Sequence, residues 1–138
     1  MQKSYHFLIA EDDPVLRDLY VRKFSRTEFS VSTAANGQEA LQMIERDPPD
    51  LVILDLNMPV MDGFSVLEKL PKSRRTFPVI IITNFDDEQS RTRAESLSID
   101  GYFVKKDMTI QSLVDMVDSL LKSHKTVKRD SNSQAHSE

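Results

Sequence analysis

The run Leu51-Val52-Ile53-Leu54 constrains this chain more than any other stretch. It has no polar break, follows the breaker Asp47-Pro48-Pro49-Asp50 and stops at Asp55. Periodicity alone leaves a buried helix open, but the double proline and the shortness favour a parallel strand covered on both faces. Asp55 then closes that strand at its carboxyl end, where open α/β sheets place their ligand crevice. An aspartate there is, by itself, most often a turn former or a helix cap. Its meaning depends on what the other strands bring to the same rim.

The rest of the chain alternates in the same way. Phe7 to Ala10 is a short apolar run closed by Glu11-Asp12-Asp13-Pro14, with Asp13 placed to cap a helix that begins at Pro14. Leu16, Tyr20 and Phe24 recur at four-residue steps, and Val15 and Leu19 beside them complete an apolar face. Phe29, Val31 and Thr33 alternate with Ser30, Ser32 and Ala34, the period of an edge strand. After the Asn36-Gly37 turn a second helix needs only Ala40, Leu41 and Ile44 on its inner face. A third runs from Gly63 to Leu70 with Phe64, Leu67 and Leu70 inward, and Lys72 to Thr76 reads as a basic, solvated loop.

Val79 to Ile82 is a β-branched central strand ending at Thr83. Asp86 or Asp87 caps a fourth helix reaching about Ser98, whose inward candidates are little more than Ala94 and Leu97; this is the weakest anchorage in the chain. Tyr102-Phe103-Val104 is a fifth strand ending at Lys105, and Thr109 caps a fifth helix with Ile110, Leu113, Val114, Val117, Leu120 and Leu121 on one face. Residues 124–138 are polar and small, and read as a disordered tail behind a single domain over residues 1–123. Five strands alternating with five helices imply an α/β, doubly wound parallel sheet of flavodoxin-like strand order 2-1-3-4-5, with its switch point between the first and third strands.

Composition excludes several classes. The 138 residues suffice for one core, and with 39% hydrophobic and 29% charged residues they read as a soluble globular domain. A formal net charge of -4 gives no bias toward nucleic acid or anionic membrane, and no cysteine means no disulfide framework and no thiolate metal site. Lys122, Lys125, Lys128 and Arg129 form a modest basic patch, with no helix-turn-helix pattern to use it. The first residues hold only a four-residue apolar run, too short for a leader or a membrane span, so a cytoplasmic location is expected.

The residues closing the strands are Glu11 and Asp12 on the first, Asp55 on the third, Thr83 on the fourth and Lys105 on the fifth. Three carboxylates meeting at the switch point repel one another, by about 4 kcal/mol for a pair 4 Å apart at an effective dielectric near 20. Such a cluster takes up protons or recruits a cation. With oxygen ligands alone, Mg²⁺ or Mn²⁺ suits it better than zinc.

Asp55-Leu56-Asn57-Met58-Pro59-Val60-Met61-Asp62-Gly63, joined to these strand ends, resembles the receiver domains of two-component response regulators over about Tyr5 to Leu121. The resemblance implies that Asp55 accepts a phosphoryl group from a histidine kinase or phosphotransfer protein. It implies that Glu11, Asp12, Asp55 and the backbone carbonyl of Asn57 hold Mg²⁺. Thr83 and Lys105 would bind phosphoryl oxygens, and Tyr102 would serve as the aromatic switch. The face formed by the fourth helix, fifth strand and fifth helix would then bind a downstream protein or a second copy, with no direct role in nucleic-acid binding and no catalysis beyond self-phosphorylation and self-dephosphorylation.

The chain departs from the family pattern at two places. Lys106 stands where a proline usually follows the lysine, so a trans peptide and a shifted loop are expected. Asn84 replaces a small residue after the strand-four hydroxyl and, with Asn57 and Phe85, would tune access and loss of phosphate, the apolar Phe85 pointing to slow hydrolysis. These departures keep a second reading in play, a receiver-like binding module with impaired phosphorylation. A haloacid-dehalogenase-type phosphohydrolase is disfavoured because Asn57 stands where that chemistry needs a second acid.

Overall fold

The computed structural model describes residues 4–25 and 28–136, with side chains through residue 123. Five strands, β1 (Tyr5–Ala10), β2 (Phe29–Ala34), β3 (Leu51–Asp55), β4 (Val79–Thr83) and β5 (Gly101–Val104), alternate with α1 (Pro14–Phe24), α2 (Gly37–Arg46), α3 (Gly63–Lys69), α4 (Glu88–Ser96) and α5 (Ile110–His136). All strand pairs are parallel and the order is β2-β1-β3-β4-β5, as the alternation predicts. None of the described helices is long and apolar enough to cross a membrane.

The reason for each boundary is local. A side-chain oxygen accepts from a backbone N–H of the first turn at all five helices: Asp13 at α1, Asn36 at α2, Asp62 at α3, Asp87 at α4 and Thr109 at α5. Each such cap is worth about 1 kcal/mol. Both faces of the sheet are covered. One layer gathers Leu8, Leu54, Phe64, Leu67, Ile81 and Ala94 beneath α2, α3 and α4, and the other gathers Phe7, Tyr20, Phe24, Ile53, Ile80 and Leu113 beneath α1 and α5. β3 and β4 are buried along their whole length, which is why their sequences are continuous apolar runs.

Register then builds the rim. Ala10 pairs with Leu54, so Glu11 and Asp55 emerge level with each other. Asp55 pairs with Ile82 and Thr83 with Val104, so Thr83 and then Lys105 each stand one residue further along. One residue of strand is about 3.3 Å. The carboxyl ends therefore rise in a short staircase around Asp55.

Two expectations need correction. Val15 and Leu19 are exposed, at 75% and 36%, because the buried line of α1 is Leu16, Tyr20 and Phe24, and a neighbouring position turns the side chain by about 100°. The segment Lys72 to Thr76 is not simply solvated. Lys72–Arg74 forms a 3₁₀ turn, and Arg75 is half-buried with its guanidinium donating to the carbonyls of Leu70 at 2.6 Å, Ser98 at 2.6 Å and Leu97 at 2.5 Å. α5 runs through His136, and the side chains of the stretch expected as a disordered tail, residues 124–138, lie outside the described residues.

Candidate functional site

Glu11 is fully buried at the end of β1, and its backbone is tied to β2 through Glu11 N–H donating to Ala34 O at 3.0 Å. Its Oε2 accepts from the Asp13 N–H at 3.1 Å, so the residue that caps α1 is itself held by the acid before it. Asp55 is 1% exposed; its Oδ1 accepts from the Asn57 N–H at 3.0 Å and its Oδ2 accepts from Lys105 Nζ at 2.8 Å. Lys105 Nζ also lies 2.8 Å from Glu11 Oε1, so the ammonium is paired with both buried carboxylates. Asp12 is exposed, and one carboxylate oxygen from each of Glu11, Asp12 and Asp55 falls within 4.8 Å of the others.

Charge follows from this crowding. Burial, reinforced by the Asp55 charge, pushes the Glu11 carboxyl up to about 7 against the pull of Lys105 and the Asp13 N–H. Burial also works against the charge on Lys105, but the bonds to Asp55 and Glu11 outweigh it and hold the ammonium above its ordinary range. Tyr20, packed in the α1–α5 layer, has its phenol pushed up to about 12 by burial and then by the Glu11 carboxylate. One ammonium thus serves two buried carboxylates beside a third acid. An all-oxygen cluster of this spread fits a hard divalent cation.

The predicted partners stand around it. Thr83 is buried and its Oγ1 accepts from the Phe85 N–H at 3.0 Å, while Thr83 O accepts from the Lys105 N–H at 2.7 Å. Tyr102 is half-buried, donating its hydroxyl to Phe85 O at 2.8 Å. Phe85 packs against the core layer under α3 and α4, while the side chains of Asn84 and Asn57 are exposed. The Lys105–Lys106 peptide is trans as expected, and Lys105 nevertheless reaches both carboxylates. Lys106 itself pairs with Asp86 at 2.7 Å, joining the β4–α4 loop to the β5–α5 loop. Both groups are exposed, and the pairing lowers the Asp86 carboxyl and raises the Lys106 amine.

Two supporting residues escape a reading by strand ends. Arg17 on α1 donates from Nη1 to Glu11 O at 2.9 Å, fixing the acidic turn from outside; nothing in its spacing signals that contact. Gly63 lets α3 start against the end of β3, since a Cβ there would lie 2.5 Å from Asp55 O. The Asp62-Gly63 pair was the available signal for a close backbone approach.

Fold and rim together define an α/β domain that concentrates acids and a lysine at the switch point of its sheet. Residues 7–118 match the response regulator receiver domain, and the chain belongs to that family of two-component signalling proteins. It is 31% identical over 118 residues, 86% of this chain and 51% of the relative, to the response regulator MprA of Mycobacterium leprae. It is 32% identical over 98 residues, 71% of this chain and 41% of the relative, to the alkaline phosphatase synthesis transcriptional regulatory protein PhoP of Bacillus subtilis. Among solved structures, a DNA-binding response regulator of the LuxR family from Staphylococcus aureus superposes with a TM-score of 0.78 at 31% identity, covering 85% of this chain and 98% of that one. A CheY-like receiver domain protein from Methanospirillum hungatei gives a TM-score of 0.83 at 23% identity, covering 90% and 98%, and supports the fold alone. The chain spans between 38% and 53% of the length of these and similar curated relatives.

Proposed function

We propose that this chain is a phosphorylation-dependent switch whose Asp55 accepts the phosphoryl group of a phosphohistidine on a histidine kinase or phosphotransfer protein. The observation that carries this reading is the junction itself. Asp55 Oδ2 is 2.8 Å from Lys105 Nζ, inside a set of Glu11, Asp12 and Asp55 oxygens no more than 4.8 Å apart. In the transfer an Asp55 oxygen bonds to phosphorus, the P–N bond breaks, and the imidazole nitrogen keeps the electron pair and takes a proton from solvent. Such transfers depend on in-line positioning and charge stabilisation. Mg²⁺ or Mn²⁺, held by Glu11, Asp12, Asp55 and the Asn57 carbonyl, would offset the charge on the phosphoryl oxygens.

The chain's own residues supply the rest. Lys105 exchanges part of its contact with Asp55 for a phosphoryl oxygen. Thr83 leaves the Phe85 N–H to donate its hydroxyl to the same group, and Tyr102 follows into the space vacated. The α4–β5–α5 face then changes shape for a downstream protein or a second copy of the chain, a shift between two pre-existing arrangements. Asn84, Asn57 and the apolar Phe85 set the access of water, and the phosphoprotein loses phosphate slowly; rapid loss from purified protein contradicts that point.

The test is incubation with acetyl phosphate and Mg²⁺ followed by peptide mass spectrometry. One phosphoryl group on the Asp55 peptide, absent from Asp55→Asn, is expected. No modification, or modification elsewhere with Asp55 untouched, overturns the reading.

A further inference from the structure

α4 touches the domain through little apolar surface. Its only buried residue is Ala94, so apolar packing contributes little to its position. What holds it are guanidinium groups. Arg91 lies over the Tyr102 ring at 4.6 Å, and Arg93 lies over the Phe64 ring at 4.1 Å with Glu68 at 3.6 Å. Arg75 reaches the far end, donating to the carbonyls of Leu97 and Ser98 just beyond the helix. The carboxyl end is therefore pinned by two hydrogen bonds from a half-buried arginine, and the body of the helix by the exposed side chains of Arg91 and Arg93.

Among these contacts one bears on the proposed switch. The Tyr102 ring is held on one side by the bond from its hydroxyl to Phe85 O and covered by Arg91, and Phe85 N–H is in turn bonded to Thr83. We propose that Arg91 is the latch of the resting state, a positioning residue that keeps Tyr102 half-exposed and α4 closed against β5 until Thr83 lets go of the Phe85 N–H. This inference rests on the switch reading above and deepens it. A cation over an exposed aromatic ring is worth about 0.5–1 kcal/mol, which corresponds to a twofold to fivefold bias toward the resting arrangement. By linkage, what stabilises the resting arrangement weakens any ligand that requires the other, and by the same factor.

The test measures fluoroberyllate binding in Mg²⁺ to the full chain and to Arg91→Gln, Arg91→Lys and Arg93→Gln, with amide exchange and the Tyr102 ring NMR signals recorded on each unliganded protein. Arg91→Gln is expected to bind two- to fivefold more tightly, with shifted ring signals and faster exchange in the first turns of α4; Arg91→Lys falls between it and the wild type. Arg93→Gln loosens α4 from α3 without touching Tyr102, and its affinity stays at the wild-type value. Unchanged or weaker binding by Arg91→Gln, or an equal gain in Arg93→Gln, overturns the latch. If the wild type takes no fluoroberyllate, the switch reading fails, and the unliganded spectra decide the latch on their own. Tyr102 signals that move only in the Arg91 variants support it, and signals that stay in place overturn it.

Discussion

α4 and α5 flank the same edge strand and could hardly be attached more differently. α5 sends Leu113, Val117 and Leu121 into the layer that contains Phe7, Ile53, Ile80 and Ile82, and the first two of these are fully buried. α4 buries Ala94 and otherwise relies on Arg75, Arg91 and Arg93. Apolar burial is undirected and strong, so α5 has one place to sit. Guanidinium contacts are directional and individually weak, so α4 can exchange one set for another at small cost. Under the proposed switch, α5 is the fixed element of the α4–β5–α5 face and α4 the one released to move.

The largest effect expected from this contrast is on α5. Leu113→Ala should lower stability by about 2–5 kcal/mol in chemical denaturation, because it leaves a cavity in a filled layer. A loss below about 1 kcal/mol would mean that α5 is no better anchored than its neighbour. Next comes Arg75→Ala, which leaves the carbonyls of Leu70, Leu97 and Ser98 without their donor and should cost about 1–3 kcal/mol. Its signature is amide exchange that quickens at the carboxyl end of α4 while α5 is unchanged.

A separate effect concerns pH, because a group that holds its proton more tightly when folded makes stability depend on pH. The Glu11 carboxyl is raised in the folded protein to about 7 from an ordinary 4.5, so the folded state holds that proton more tightly than the unfolded chain. The stability this confers is complete below about 4.5 and is lost as pH rises through about 7. Denaturation of the cation-free protein across that interval should show the decline, and Mg²⁺ should reverse it at the upper end. Stability that rises with pH without added metal would contradict the burial of Glu11 as the dominant cause. Arg93→Gln should be the mildest change, within about 1 kcal/mol, since it loses an exposed ion pair with Glu68 and a single cation contact over the Phe64 ring.

The same contrast explains what could be read from the sequence. Strands β3 and β4 are bounded by residues whose local chemistry ends a strand, and their continuous apolar runs admit little else. Asp13, Asn36, Asp62 and Asp87 announce helix starts by their own short side chains. Asp55, Glu11 and Lys105 were legible because strand order and register follow from the alternation of elements, and register carries them to one rim. Arg17, Arg75 and Arg91 were not legible, because a long flexible cation in a polar stretch has the same appearance whether it is solvated or bonded to a carbonyl twenty residues away. Val15 and Leu19 misled in the opposite sense, as apolar residues beside a buried line that do not belong to it.

Three acids sharing one cation next to a lysine are the centre of the proposed switch, and a direct titration tests them. Mn²⁺ binding followed by electron paramagnetic resonance, with competition by Mg²⁺, should show one saturable site per chain that weakens as pH falls below about 7 and is lost in Asp12→Asn and Asp55→Asn. Binding that persists unchanged in both variants, or no binding to the wild-type chain at neutral pH, would contradict it.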